Sequence, residues 1–181
     1  MRVILLFIGL FLLNPYSLAD SQQANQKMNQ NYQVFIDSFS SLDAKRLATI
    51  YHKSAIYIPE HRKQNLVYGS NDIEQLYQRF FNRVQHKNAR VSVGFRVVNR
   101  EITQEQVTDI GFFLIRVFPA SHTEQNVSEF AGKFLIIGDK KSSDVISWKT
   151  EMNSHAKPHH YFGLNPEKLL FFSETKMLPK E

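Results

Sequence analysis

Three histidines fall within the stretch NSHAKPHHYF, residues 153–162, just past a strand-like run that holds the chain's one tryptophan, Trp148. Zinc takes three or four His, Asp or Glu ligands, and a helix can offer two histidines at i and i+4. His155 and His159 have that spacing, but Pro158 lies between them and opposes a continuous helix through both. A metal would then need a bent loop that brings His155, His159 or His160 to a carboxylate such as Glu60. The simpler reading makes Asn153 and His155 rim residues that lend hydrogen bonds to a ligand or to water, with no metal and no cofactor. A second candidate is Glu60-His61, where a carboxylate beside an imidazole can form an acid–base pair. Adjacent residues on an extended chain point opposite ways, so the pair competes with a plain solvated loop. The catalytic candidates are Glu60, His61 and His155, none of them decisive.

The elements that must position these groups can be read from periodicity. Met28, Tyr32, Phe35 and Phe39 recur at steps of four, three and four, one face of a helix that runs to about Ser40. Asp43 can cap a second helix with Leu47, Ile50 and Tyr51 facing inward. Ala55–Ile58 is a short β-prone run stopped by Pro59. Asn71 and Glu74 make a capping box for a third helix, whose Ile73, Leu76, Tyr77, Phe80 and Val84 share a face, with Arg79, Arg83 and Lys87 on the other side. From Ala89 the period changes to two, and Val91, Val93, Phe95 and Val97 alternate with polar neighbours, the pattern of an antiparallel sheet wet on one face. Further strands are predicted over 107–118, 128–137 and 145–153, and a short helix opens at Asn165-Pro166-Glu167. The order reads α-α-β-α-β-β-β-β.

Composition narrows the setting. The 181-residue chain has no cysteine and a net charge of +5. It begins with one Arg, an apolar run over residues 3–13 too short to span a bilayer, and Ser17-Leu18-Ala19, which together predict a cleavable secretory signal over residues 1–19 and a periplasmic or secreted protein. A membrane enters this reading only through an uncleaved signal. The remainder divides into a single α+β domain over 20–153 and a C-terminal extension over 154–181. Residues 45–100 hold eleven Lys or Arg against three acids. Arg90, Arg96 and Arg100 recur on one strand face, but no aromatic platforms or groove-entering helix accompany them, so nucleic acid is not an expected partner.

Leu47-x-x-Ile50-Tyr51, Ala55-Ile56-Tyr57-Ile58-Pro59, Gly69-x-x-x-Ile73, Asp109-Ile110-Gly111, Gly132-Lys133-Phe134 and Trp148-Lys149 together resemble the nuclear-transport-factor-two-like superfamily, in particular its SnoaL-like and ketosteroid-isomerase-like domains. The resemblance covers about residues 28–153. It implies a cone-shaped, curved antiparallel sheet wrapped on three N-terminal helices, an apolar pocket between them, and commonly a homodimer through the exposed sheet face. It also implies catalytic positions, and three of them depart from the isomerase pattern. Ile58 stands where the proton-shuttling aspartate precedes the strand-ending proline, Val34 where a helix-one tyrosine is expected, and Asn153 where many SnoaL-like members carry an aspartate. An amide orients a ligand but is no general base.

The expected pocket wall is Tyr57, Tyr77, Phe95, Phe113, Phe134 and Trp148, with Met152 and Asn153 at its end. The leading expectation is a protein that binds a small, mainly apolar molecule in the cone without turnover. The alternatives are an isomerase, dehydratase or hydrolase of the same fold using Glu60, His61 or His155, and a structural or assembly module working through its sheet face.

Overall fold

A computed structural model of the chain describes residues 15–60, 65–120, 126–140 and 145–173. Helix α1 (Pro15–Ser41) and the short α2 (Ala44–Ala48) lead into strand β1 (Tyr51–Ile58), a two-residue strand β2 (Val67–Tyr68) and helix α3 (Gly69–His86). Four long strands follow: β3 (Arg90–Ile102), β4 (Gln106–Phe118), β5 (Ser128–Asp139) and β6 (Ser147–Ala156). Helix α4 (Pro158–Phe162), a 3-10 turn over Pro166–Lys168 and strand β7 (Phe171–Phe172) complete the described chain. The sheet runs β2-β1-β6-β5-β4-β3-β7. β1 lies parallel to β6 and every other pairing is antiparallel.

The α+β class and the order of the long elements agree with the sequence. The stripe Met28, Tyr32, Phe35 and Phe39 is buried to within 4 % exposure and packs α1 into the concave face of the sheet. Asp43 caps α2, its carboxylate accepting from the Arg46 amide at 2.9 Å. Helix α3 starts earlier than expected, at Gly69, with no side-chain cap, so the predicted Asn71/Glu74 box does not form. Gly69 sits at φ +81°, and a Cβ there would lie 3.0 Å from the Lys53 carbonyl, which is why the turn into α3 needs a glycine. The C-terminal segment supplies only a 3-10 turn after Asn165, then adds β7 to the edge of β3.

Two β-bulges decide which side chains face inward. In β3, Val97 pairs with Gly111 and Asn99 with Ile110, leaving Val98 extra. In β6, Trp148 pairs with Gly138 and Thr150 with Ile137, leaving Lys149 extra. Each extra residue reverses the alternation beyond it. Arg100 therefore turns into the core while Arg96 stays on the outer face, and the grouping of Arg90, Arg96 and Arg100 on one wet face is corrected. Arg100 grips Asp109 on β4 through Nε–Oδ1 at 2.7 Å and Nη2–Oδ2 at 2.6 Å, with both side chains at most 1 % exposed. Its third nitrogen reaches Asn25 and Asn29 on α1, and the Tyr32 hydroxyl donates to Asp109 at 2.9 Å. A buried ion pair whose hydrogen bonds are satisfied in this way fastens α1 to the sheet.

Arg96 is covered by the C-terminal extension. It donates to the Tyr161 carbonyl at 2.5 Å, and its guanidinium lies 4.3 Å from the Tyr161 ring centre and 4.9 Å from that of Phe172. Tyr161 in turn buries a second small core of Leu114, Ala131 and Ala156 on the outer face.

Candidate functional site

α1, α3 and the concave sheet face leave a cavity of about 210 Å³ between them. A cavity of about 150 Å³ accepts benzene, so this one suits a body larger than a single ring. Its apolar wall is Phe35, Phe39, Phe80, Phe95 and Phe113, with Leu76, Val93 and Ile115 between them. Apart from Arg83 on α3, the polar groups gather at one place: Tyr57 on β1, Tyr77 on α3, and Glu151 and Asn153 on β6. Strand pairing explains the cluster. Tyr57 is the partner of Glu151 across the β1–β6 ladder, Asn153 follows Glu151 by two on the same face, and the Lys149 bulge turns that face inward.

Glu151 is 4 % exposed. Its Oε2 accepts a short hydrogen bond from the Tyr51 hydroxyl, and its Oε1 accepts from Asn153 Nδ2 at 2.8 Å. Asn153 Nδ2 also donates to the Tyr57 hydroxyl at 3.2 Å. Among the described residues no cation pairs with Glu151. Burial pushes its carboxyl from 4.5 up to about 7, against the Tyr51 and Asn153 hydrogen bonds, which pull the other way. The phenols of Tyr51, Tyr57 and Tyr77 are all pushed upward, first by burial and then by the Glu151 charge, so they stay protonated donors. Asn153 Oδ1 is buried with no hydrogen-bond donor among the described residues, leaving an acceptor at the cavity floor. The site can thus hold or release a proton near neutrality and present a phenol and an amide to an oxygen of a bound molecule.

Of the residues expected on the wall, Tyr57, Tyr77, Phe95, Phe113 and Asn153 line the cavity. Phe134 and Trp148 do not; they fill the core beneath it, with Trp148 packed on Tyr32, Phe35 and Tyr51. Met152 is 43 % exposed on the outer face, because the bulge at Lys149 puts it out of phase with Trp148. Ile58 pairs with Met152 and shares that outer face, and Val34 is half-buried against the core.

Glu60 and His155 meet at the surface, Nδ1 to Oε1 at 3.2 Å, with side chains 43 % and 72 % exposed, and neither lines the cavity. His61 lies outside the described residues, as do residues 1–14 of the expected signal. His155 ends on β6 while His159 and His160 sit on α4, their own rings 4.2 Å apart, and no group of three or more metal-ligating side chains forms among the described residues.

The residue that sequence reasoning missed is Glu151. In strict alternation from Trp148 it falls on the wet side, and the only signal that could have placed it inward is the even spacing from Asn153, itself read as a rim residue.

No family model and no curated protein shows significant similarity to the sequence. Solved structures do resemble the fold. An NTF2-like protein with a cystatin-like fold from Novosphingobium aromaticivorans superposes with a TM-score of 0.66 at 9 % identity, over 81 % of this chain and 90 % of its own. A domain of unknown function with a cystatin-like fold from Nostoc punctiforme gives 0.57 at 16 % identity, over 82 % and 89 %. A ketosteroid isomerase-like protein from Erwinia carotovora atroseptica gives 0.56 at 9 % identity, over 74 % and 96 %. Such identities speak to architecture and not to chemistry. The helices seated in a curved sheet, the parallel β1–β6 pairing and these likenesses together show that the chain has the NTF2-like fold.

Proposed function

We propose that the protein binds a small, mainly apolar molecule in this cavity and transfers a proton on it, with Glu151 as the proton carrier. The observation that carries the reading is a buried carboxyl, with no cation beside it, on the floor of an aromatic-walled cavity. A structural role for such a group is costly, since a buried carboxyl must either stay neutral or be desolvated as an anion. A catalytic role uses the same feature, because a base titrating near 7 is half-ionised at working pH. The ionised carboxyl would remove a proton from a carbon next to a carbonyl. Tyr57, which accepts from Asn153, would donate its own O–H to the enolate oxygen as charge develops there. Return of the proton to another carbon, or to the opposite face of the same one, completes an isomerisation, and its delivery to a leaving hydroxyl completes a dehydration. The fold neighbour described as ketosteroid isomerase-like is in keeping with this class.

Solvent exchange tests the step without knowledge of the natural substrate. Incubated with 1-tetralone in heavy water, the wild-type protein should speed deuterium uptake at the carbon next to the carbonyl, as read by mass spectrometry. Glu151→Gln should lose at least about a hundredfold of that acceleration, the low end for a general base. Equal uptake with the wild type, the Gln variant and buffer alone would refute proton transfer.

A further inference from the structure

Arg83 contributes the one basic side chain among the residues that line the cavity. It stands on α3, exposed, one turn beyond Phe80, with its guanidinium carbon 5.9 Å from the Phe80 ring centre. Among the described residues no carboxylate pairs with it, whereas Arg46, Arg100 and Arg116 each have one. Tyr77 stands at the Glu151 end of α3, about 120° around the helix from Arg83, and six residues separate the two, about 9 Å along the axis. Arg83, expected on the side of α3 away from Tyr77, reaches the cavity past Phe80 instead. The cavity therefore has a cation at its mouth, apolar walls, and a carboxyl at its floor.

We propose that Arg83 selects the ligand's charge, so that the natural ligand is a small monocarboxylate whose anion sits at the mouth and whose apolar body reaches the Glu151 floor. This rests on the cavity being the binding site, as argued above, and adds the chemical class and the orientation. The orientation follows from charge. A carboxylate driven to the floor would face the Glu151 carboxyl at close range, and two like charges in a low-dielectric site repel strongly. At the mouth the same group meets a guanidinium that can form two parallel hydrogen bonds to it. The outward anion leaves the ligand's far end, about one bicyclic ring system away, as the part presented to Glu151, Tyr57 and Asn153.

A pair of isosteric probes separates the two levels of the argument. 2-Naphthoate and 2-naphthamide have nearly the same shape and differ in charge. Calorimetric titration of the full chain at low salt should show naphthoate bound about five- to tenfold more tightly, the range of a solvent-screened ion pair reinforced by hydrogen bonds. Arg83→Gln should bring the two affinities together by weakening naphthoate alone, and added salt should do the same to the wild type. Because Arg83 is exposed, the Gln variant is not expected to lose its fold. If both probes bind the wild type equally, or if the preference survives in Arg83→Gln, the selection by Arg83 is wrong while the cavity reading stands. If neither probe binds, or if Leu76→Trp, which fills the cavity, leaves binding unchanged, both are wrong.

Discussion

Glu151 folds with its carboxyl away from water, and that placement fixes a sign for stability against pH. Its folded-state value of about 7 lies above the 4.5 of an ordinary glutamate. Between those values the native state holds a proton that the unfolded chain has released, so stability falls as pH rises. The group's contribution is whole below 4.5, is lost through 7, and is absent above it. At about 1.4 kcal/mol per pH unit the loss is about 3 kcal/mol. Glu151→Gln keeps the shape and the neutral character of the protonated form at every pH. Urea unfolding of both proteins should therefore show the Gln variant gaining about 3 kcal/mol on the wild type between pH 4.5 and pH 8, and a stability difference that stays constant over that range would show the carboxyl to be ordinary. The three tyrosines around it do not titrate in this window, since burial holds each above its usual value.

At the scale of the elements, two single-residue bulges carry most of what the sequence could not show. The alternation of Val91, Val93, Phe95 and Val97 and the helical stripe from Met28 to Phe39 were legible because hydrophobic period tracks burial directly. Nothing in the residue types announces that Val98 and Lys149 are extra, because a bulge is set by pairing with a distant strand. Beyond each one the alternation is reversed, which is why Arg100 is grouped with Arg90 and Arg96 on a wet face in the sequence and why strict alternation from Trp148 does not single out Glu151. The correction at Arg100 has a measurable consequence. Arg100→Met leaves the Asp109 carboxyl buried at 0 % exposure without its cation, which costs about 3–5 kcal/mol. The double variant Arg100→Met/Asp109→Leu should recover part of that loss. A surface arginine would give a change within about 0.5 kcal/mol on removal, and such a result from chemical denaturation would contradict the bulged register.

On the scale of the whole molecule, the described part of the C-terminal extension buries the back of the sheet with Tyr161 and stacks Phe171 on Tyr32 in the main core, but does not reach the cavity. None of residues 157–173 lines the cavity; instead α4 lays Tyr161 over Leu114, Ala131 and Ala156, and β7 seals the edge of β3. The apolar Leu169-Leu170-Phe171-Phe172 run marked this segment as docked, but an edge strand of two residues gives no periodic signal, so a helix was the expectation. At the other end, Asp20, the first residue after the expected signal, pairs with Lys140 at 2.8 Å, and Ala24 is buried against the body. The three N-terminal helices, the curved sheet and, of the cavity wall, Tyr57, Tyr77, Phe95 and Phe113 were thus readable from pattern and resemblance, whereas Phe35, Phe39 and Phe80 on the wall and the proton carrier emerged only from the three-dimensional arrangement. That carrier is the point on which the functional account turns. Carbon-13 NMR of the glutamate side-chain carboxyls, with the Glu151 signal assigned by its loss in Glu151→Gln, follows its ionisation directly. The account expects a titration midpoint of about 7, and a midpoint near the ordinary 4.5 would contradict it.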